Sequence, residues 1–118
     1  MKIKFKQWEC EVFATYYKTD IGTNKRKAIV LKDDEGVVAT ATVNMPKYLC
    51  GDNQIYVKDY SENTGMLQAL INNGIVDPVP ANSLGGKFVT IPLMNLTEKG
   101  MKLWQTKEKS QEKNTKSG

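Results

Sequence analysis

Any chemistry in this chain has to come from a short inventory of side chains. There is no histidine, which removes the commonest general base and the commonest metal ligand together. What remains is two cysteines, Cys10 and Cys50, a run of three acids, Asp33-Asp34-Glu35, and a polar cluster, Lys58-Asp59-Tyr60-Ser61-Glu62-Asn63. A cysteine nucleophile needs a neighbour that favours the thiolate, and no such neighbour can be picked out for either thiol. The cysteines form no Cys-x-x-Cys pair, which argues against zinc. Cys10 falls in a strand-like alternation and reads as a small buried thiol. A disulfide to Cys50 would require the fold to bring the two Cα atoms together. The three acids do not have the spacing of a calcium loop, and with Gly36 behind them they read as a solvated hairpin turn. Asp59 and Glu62 lack a base and an orienting partner, whereas a place just ahead of a helix start explains them. No catalytic residue, cofactor or metal is expected, and the chain is read as non-enzymatic.

The elements that carry these groups are mostly strands. With 118 residues, 25% charged and 40% hydrophobic, the chain is sized and composed as one soluble globular domain. Residues 2–18 alternate with a change of phase between Phe5 and Trp8, implying a bulge, a bend or two strands. Lys2, Lys4 and Lys6 line the face opposite Ile3 and Phe5, as on an edge strand protected against pairing. A turn-rich stretch at 19–25 and the basic cluster Lys25-Arg26-Lys27 precede the apolar run Ala28–Leu31. Then Val37–Val43 alternates, with Val37, Ala39, Ala41 and Val43 expected on one face and Val38, Thr40 and Thr42 on the other. The two alanines would leave room for a helix. Ile55 and Val57 resume a strand.

One helix has complete signals. Asn63 or Thr64 is expected to cap it, Met66, Leu67, Leu70 and Ile71 form its apolar stripe, and Gly74 with Ile75 should end it in a Schellman motif. Ala81–Gly86 reads as a small-residue loop. Phe88–Leu93 reads as a last strand, which Pro92 pushes to a sheet edge or a bulge. Asn95–Gly100 reads as a connection, and Met101, Leu103 and Trp104 should dock on the core or on a partner. The expectation is an α+β domain over 1–104, a mostly antiparallel sheet of about five strands with one helix, in the order β-β-β-β-α-β. From 105 to 118 the absence of apolar residues predicts a disordered charged tail.

The start Met-Lys-Ile-Lys-Phe-Lys carries no apolar run, so neither a signal peptide nor a membrane anchor is expected, and a reducing interior is the inferred location. The net charge is +4. The tail's four lysines against two glutamates supply +2 of it, leaving a nearly neutral folded part that gives nucleic-acid binding little support.

The run Ala41-Thr42-Val43-Asn44-Met45-Pro46, followed by Ile55 through Leu67 with Lys58-Asp59-Tyr60-Ser61-Glu62-Asn63 and Gly65-Met66-Leu67 at its centre, resembles a family of small uncharacterised proteins of bacteriophages and other mobile elements. The similarity spans about residues 27–96. It implies a phage or mobile-element setting and supplies no activity and no catalytic residues.

Two functions follow as expectations. The first is an accessory protein that binds a host or viral protein, as an inhibitor of host defence or a virion component, in the bacterial cytoplasm or on the virion. Its contact surface is expected at Asp59, Tyr60, Ser61, Glu62 and Asn63 with Tyr56 and Lys58, and Tyr16, Tyr17, Tyr48 and Trp104 add to the aromatic inventory. The second is a module for single-stranded nucleic acid that uses surface tyrosines and Lys25-Arg26-Lys27. An open sheet face would also suit a homodimer.

Overall fold

The structure is a computed structural model that describes residues 1–17, 26–85 and 89–105. It is an α+β fold of antiparallel sheets. Strands β1 (Lys2–Phe5), β2 (Trp8–Tyr17), β3 (Arg26–Asp33) and β4 (Gly36–Thr40) form one sheet in sequence order. Strands β5 (Gln54–Tyr56), β6 (Asn82–Gly85) and β7 (Thr90–Asn95) form a second, with β7 in the middle. Helix α1 is Met66–Asn72, and a second helix, α2, runs over 98–105. Three elements therefore go beyond the expected order, and the strands fall into two sheets rather than one; the first extra element comes from the division of residues 2–17 into β1 and β2. Residues 82–85 are strand rather than loop, and the expected connection at 95–100 already contains the start of α2. The turn-rich stretch at 19–25 lies outside the described residues, as does the expected tail beyond Gln105, which is itself the last described residue of α2.

The change of phase after Phe5 is a hairpin between two strands. Lys6 takes a positive φ of 54° at the turn, and Ile3 then lies opposite Cys10 and Phe5 opposite Trp8. Antiparallel partners share a face, so the odd residues of β1 and the even residues of β2 point the same way. Ile3, Phe5, Cys10, Val12 and Ala14 are buried accordingly. The mixed-charge pairs Lys2–Glu11 and Lys4–Glu9 occupy the other face. The β3–β4 hairpin turns as expected, with Glu35 N donating to Asp33 Oδ1 at 2.8 Å and Gly36 at φ 125°.

The alternation predicted for Val37–Val43 fails at its start. The register of β3 against β4 slips between Leu31 and Lys32, so Leu31 faces Ala39 while Lys32 faces Val37. The slip turns Val37 outward, 63% exposed, while Val38 packs against the core. A bulge of this kind reverses the face of the residues beyond it. Ala39 and Ala41 are buried as expected, though the strand that α1 approaches most closely is β1.

The two sheets are stitched together at Thr42. Ala41 N still donates to Ile29 O, but Val43 N donates to Tyr56 O and Lys58 N to Ala41 O. The chain thus leaves β3 and takes the free edge of β5, whose other edge is held by β7. At the crossing point the Thr42 hydroxyl stands in for the lost backbone acceptor. It accepts from Ile29 N at 3.2 Å and is bonded to the Tyr17 hydroxyl at 2.8 Å.

Pro92 sits in the central strand β7, opposite Ser83, and not at an edge. Its carbonyl accepts from Val57 N at 3.0 Å. With no N–H at residue 92 to return that bond, the β5–β7 ladder ends at the Tyr56–Leu93 pair.

Helix α1 ends as predicted, with Ile75 N donating to Leu70 O and Gly74 N to Ile71 O, and Gly74 at φ 70°. Helix α2 starts at Thr97, whose Oγ1 accepts from Gly100 N at 3.0 Å. A Cβ at residue 100 would run into the carbonyl oxygen of Ile75, so glycine is what lets α2 lie against the exit from α1. Trp104 then reaches the core, 2% exposed, and its indole N–H donates to Thr15 O at 2.8 Å. A single cluster joins Ile29 and Leu31 of the first sheet, Met94 of the second, Leu70 of α1 and Trp104 of α2.

The stitch at Thr42 gives a sharp prediction. Thr42→Val keeps the shape but leaves the buried Ile29 N–H unbonded, which should cost about 1–3 kcal/mol of unfolding free energy in urea titration. Tyr17→Phe, which leaves the Ile29 bond intact, should cost less than Thr42→Val. Equal losses would show that the tyrosine bond carries the effect.

Candidate functional site

The polar cluster at 58–63 is the joint between the second sheet and α1. The N-cap of helix α1 is Gly65, in a left-handed conformation at φ 100° and with no side chain to cap the helix. Asp59 provides the cap from upstream, with Oδ1 accepting from Gly65 N and from Leu67 N, each at 3.0 Å. The expected cap residues have other tasks. Asn63 is 2% exposed and donates through Nδ2 to Thr40 O at 2.7 Å, tying the elbow to β4. The Thr64 hydroxyl donates to Ser61 O at 2.9 Å, closing the 3-10 turn Ser61–Asn63. Lys6 reaches across from the β1–β2 turn and donates to Glu62 O at 2.6 Å. Ser61 takes a positive φ of 53° at this turn.

Of the seven residues expected at a contact surface, the structure draws three into the fold. Asp59 is engaged as the cap, Asn63 is buried, and Tyr56 is 6% exposed with its hydroxyl donating to Leu49 O at 2.6 Å. Ser61 and Glu62 are exposed, and Lys58 and Tyr60 are half-buried. Lys58 pairs with Glu62 at 2.8 Å and lies 5.7 Å from the centre of the Tyr60 ring. The hydrogen bond between them holds the Glu62 carboxyl below its ordinary range and the Lys58 ammonium above its own. Both charges are in solvent, so the pair adds little to stability. From the wider aromatic inventory Trp104 is also in the core, while Tyr48 is 48% exposed.

The basic cluster at 25–27 is described from Arg26 onward, and its two described members are spent on a loop. Arg26 Nη2 donates to Tyr48 O at 2.7 Å and Lys27 Nζ to Asp52 O at 2.6 Å. With Tyr56 on Leu49 O, three carbonyls of the 48–52 turn are bound by side chains from the sheets. Gly51 N donates to Gln54 Oε1 at 2.8 Å, and the Cys50 thiol donates to Gln54 O at 3.2 Å. The result is a fixed loop whose tip, Tyr48-Leu49, projects into solvent, with Leu49 91% exposed. Nothing in the composition of 47–53 marks it as rigid, because the groups that fix it come from Arg26, Lys27 and Tyr56.

A second surface lies on the outer face of the first sheet. Phe13 is 44% exposed there, and the Lys32 ammonium sits 4.6 Å from its ring centre. A groove of about 760 Å³ opens beside Phe13 toward Lys99, Lys102 and Leu103 of α2, and a hollow of about 400 Å³ lies on its other side against Lys2, Glu9, Asp33 and Asp34.

The two thiols differ in burial, Cys50 being only partly buried. Cys10 is fully buried and its pKa is pushed up by burial, with Asp33 adding to the effect. Cys10 and Cys50 are both free thiols. Among the described residues no group of three or more His, Cys, Asp or Glu side chains is disposed to hold a metal ion, and no helix is long and apolar enough to cross a membrane.

Two outcomes test this account of the joint. Asp59→Ala removes the one acceptor shared by the Gly65 and Leu67 amides and should cost about 1–2 kcal/mol in urea titration. Burial also raises the pKa of Tyr56 and Tyr17 above the ordinary value of 10.0. The unfolded chain therefore releases these protons first as pH rises. Their contribution to stability is full below about pH 9 and is lost as pH climbs through the folded-state values. Unfolding midpoints measured from pH 8 to 11 should fall, and the fall should be shallower in Tyr56→Phe.

Comparison with protein families, with curated proteins and with solved structures finds no match to this chain.

Proposed function

We propose that this chain is a non-enzymatic accessory protein of a phage or mobile element that acts by binding a host or viral protein, in the cytoplasm of a bacterial host or on the virion. The observation that carries the reading is the fixed, projecting tip Tyr48-Leu49. An exposed leucine is ordinary on a protein surface. One held on a turn with three side-chain-bound carbonyls is pre-organised, because the ordering entropy of the loop has been met in folding and is not charged against binding. Placing Leu49 in a partner's apolar pocket would release about 1.5–3 kcal/mol, and the neighbouring tyrosine has the amphipathic character favoured at interface anchors. The phage or mobile-element setting rests on the resemblance over about residues 27–96. The exposed part of the elbow, Ser61 and Glu62 with Tyr60, is a second contact area. The nucleic-acid alternative draws less support, since Arg26 and Lys27 are committed to loop carbonyls.

The test is capture from host lysate and from purified virions, using the wild-type chain and Leu49→Ser as baits. Leu49 touches little of its own protein, so the variant should melt within about 2 °C of wild type. The reading requires a specific partner whose recovery falls at least tenfold with Leu49→Ser. Equal recovery by both baits would remove the tip from the interface. A mobility shift on single-stranded DNA that survives moderate salt would favour the nucleic-acid alternative.

A further inference from the structure

The outer face of the first sheet has a charge pattern with a direction. Phe13 stands near the middle of β2, opposite Val30, and the next pair, Glu11 with Lys32, leads to Val37 across the register slip. Phe13 and Val37 are the exposed apolar side chains of this face, at 44% and 63%. On one side of Phe13 the groove is bordered by Lys99 and Lys102 of α2. On the other side the hollow is bordered by Glu9, Asp33 and Asp34, with Lys2 among them. Lys32 and Glu11 border both. The charged lining of the groove is therefore mostly basic and that of the hollow mostly acidic, with the apolar side chains in between.

We propose that this face pairs with the same face of a second copy of the chain, around a two-fold axis passing close to Phe13. In an isologous contact each feature meets its counterpart across the axis, so a surface must be complementary to its own rotated image. A face with opposite charges at its two ends meets that condition, because rotation lays the lysine end of one copy on the acidic end of the other. Phe13 then packs near its own symmetry mate, and Val37 is covered.

The same pattern disfavours other occupants. Nucleic acid drawn to Lys99 and Lys102 would have to pass Glu9, Asp33 and Asp34. The chain's own segment 106–118 has four lysines and two glutamates and no large apolar residue, so it offers nothing to Phe13 and repels the lysine end. The sheet face spans roughly 30 Å by 15–20 Å from strand lengths and spacings. That is somewhat below the ~800 Å² per partner of a standard interface, so the expected dimer is weak, with a dissociation constant on the order of 10–100 µM. This proposal is independent of the Tyr48-Leu49 reading and can fail or hold without it.

Sedimentation velocity on the full chain from about 5 to 500 µM tests the proposal. Wild type should pass from monomer to dimer over that range, and raising the salt should weaken the dimer. Asp34→Lys and Lys99→Glu each place like charges across the axis twice and should each weaken self-association at least tenfold. Both positions are exposed, so melting temperatures should be unchanged. An equimolar mixture restores an opposite-charge pair at both symmetry-related positions and should dimerise at least as well as wild type. A wild-type chain that stays monomeric at 500 µM overturns the proposal, as does a mixture no better than either variant alone. If deletion of 106–118 converts a monomeric wild type into a dimer, the tail is the occupant of this face and the proposal as stated is wrong.

Discussion

The fold depends on one crossing, at Thr42. A strand that leaves its neighbour to join another sheet opens a gap in the ladder it abandons, and a buried backbone N–H in that gap has no water to turn to. Here the gap falls at Ile29, and a threonine hydroxyl fills it. The next two backbone bonds already belong to β5. Because β5 has only three residues, it could not hold two sheets by its own length, and it does so by being paired on both edges. The elbow, with its cap and the helix behind it, hangs from the end of this doubly held strand. The position of α1 thus follows from a bond made by a side chain more than twenty residues earlier.

Sequence patterns revealed the parts of this architecture whose causes are local. The Gly74-Ile75 ending of α1, the Asp33–Gly36 turn and the burial of Cys10 each depend on residues within a few positions. The misassigned parts depend on partners far along the chain. Val37 and Val38 exchange faces because of a slip against Leu31 and Lys32, which the alternation of 37–43 does not contain. Gly100 reads as a helix breaker by propensity, yet it sits inside α2 because α2 must pass close to the Ile75 carbonyl. Pro92 reads as an edge signal, yet it lies in a central strand at the point where the β5–β7 ladder ends, so its missing donor falls at the end of the pairing. In each case tertiary geometry overrides a local preference of about 1–3 kcal/mol.

The candidate site follows the same logic. Lys58-Asp59-Tyr60-Ser61-Glu62-Asn63 stands out in the sequence because polar residues concentrate at a strand end, and a structural joint and a binding site have the same composition. Counting bonds separates the two. The Asp59 carboxylate, the Asn63 amide and the Glu62 carbonyl all have partners inside the chain, whereas Leu49 has almost no contact with it. The groups that give the 48–52 loop its form, Arg26 and Lys27, belong to the basic cluster that the nucleic-acid alternative would use. Arg26 Nη2 and Lys27 Nζ are instead turned onto carbonyls.

Charge placement decides between partners more firmly than net charge does. The chain is basic overall, which in isolation would suggest a polyanion. On the outer sheet face, however, the cations of α2 and the acids of the β3–β4 hairpin lie on opposite sides of Phe13, and an extended polyanion would gain at one end what it loses at the other. A partner with the same dipolar arrangement, reversed, gains at both ends. A second copy related by a two-fold rotation presents that arrangement without any further requirement on sequence. It also covers the two apolar side chains, Phe13 and Val37, that the fold leaves in water on this face.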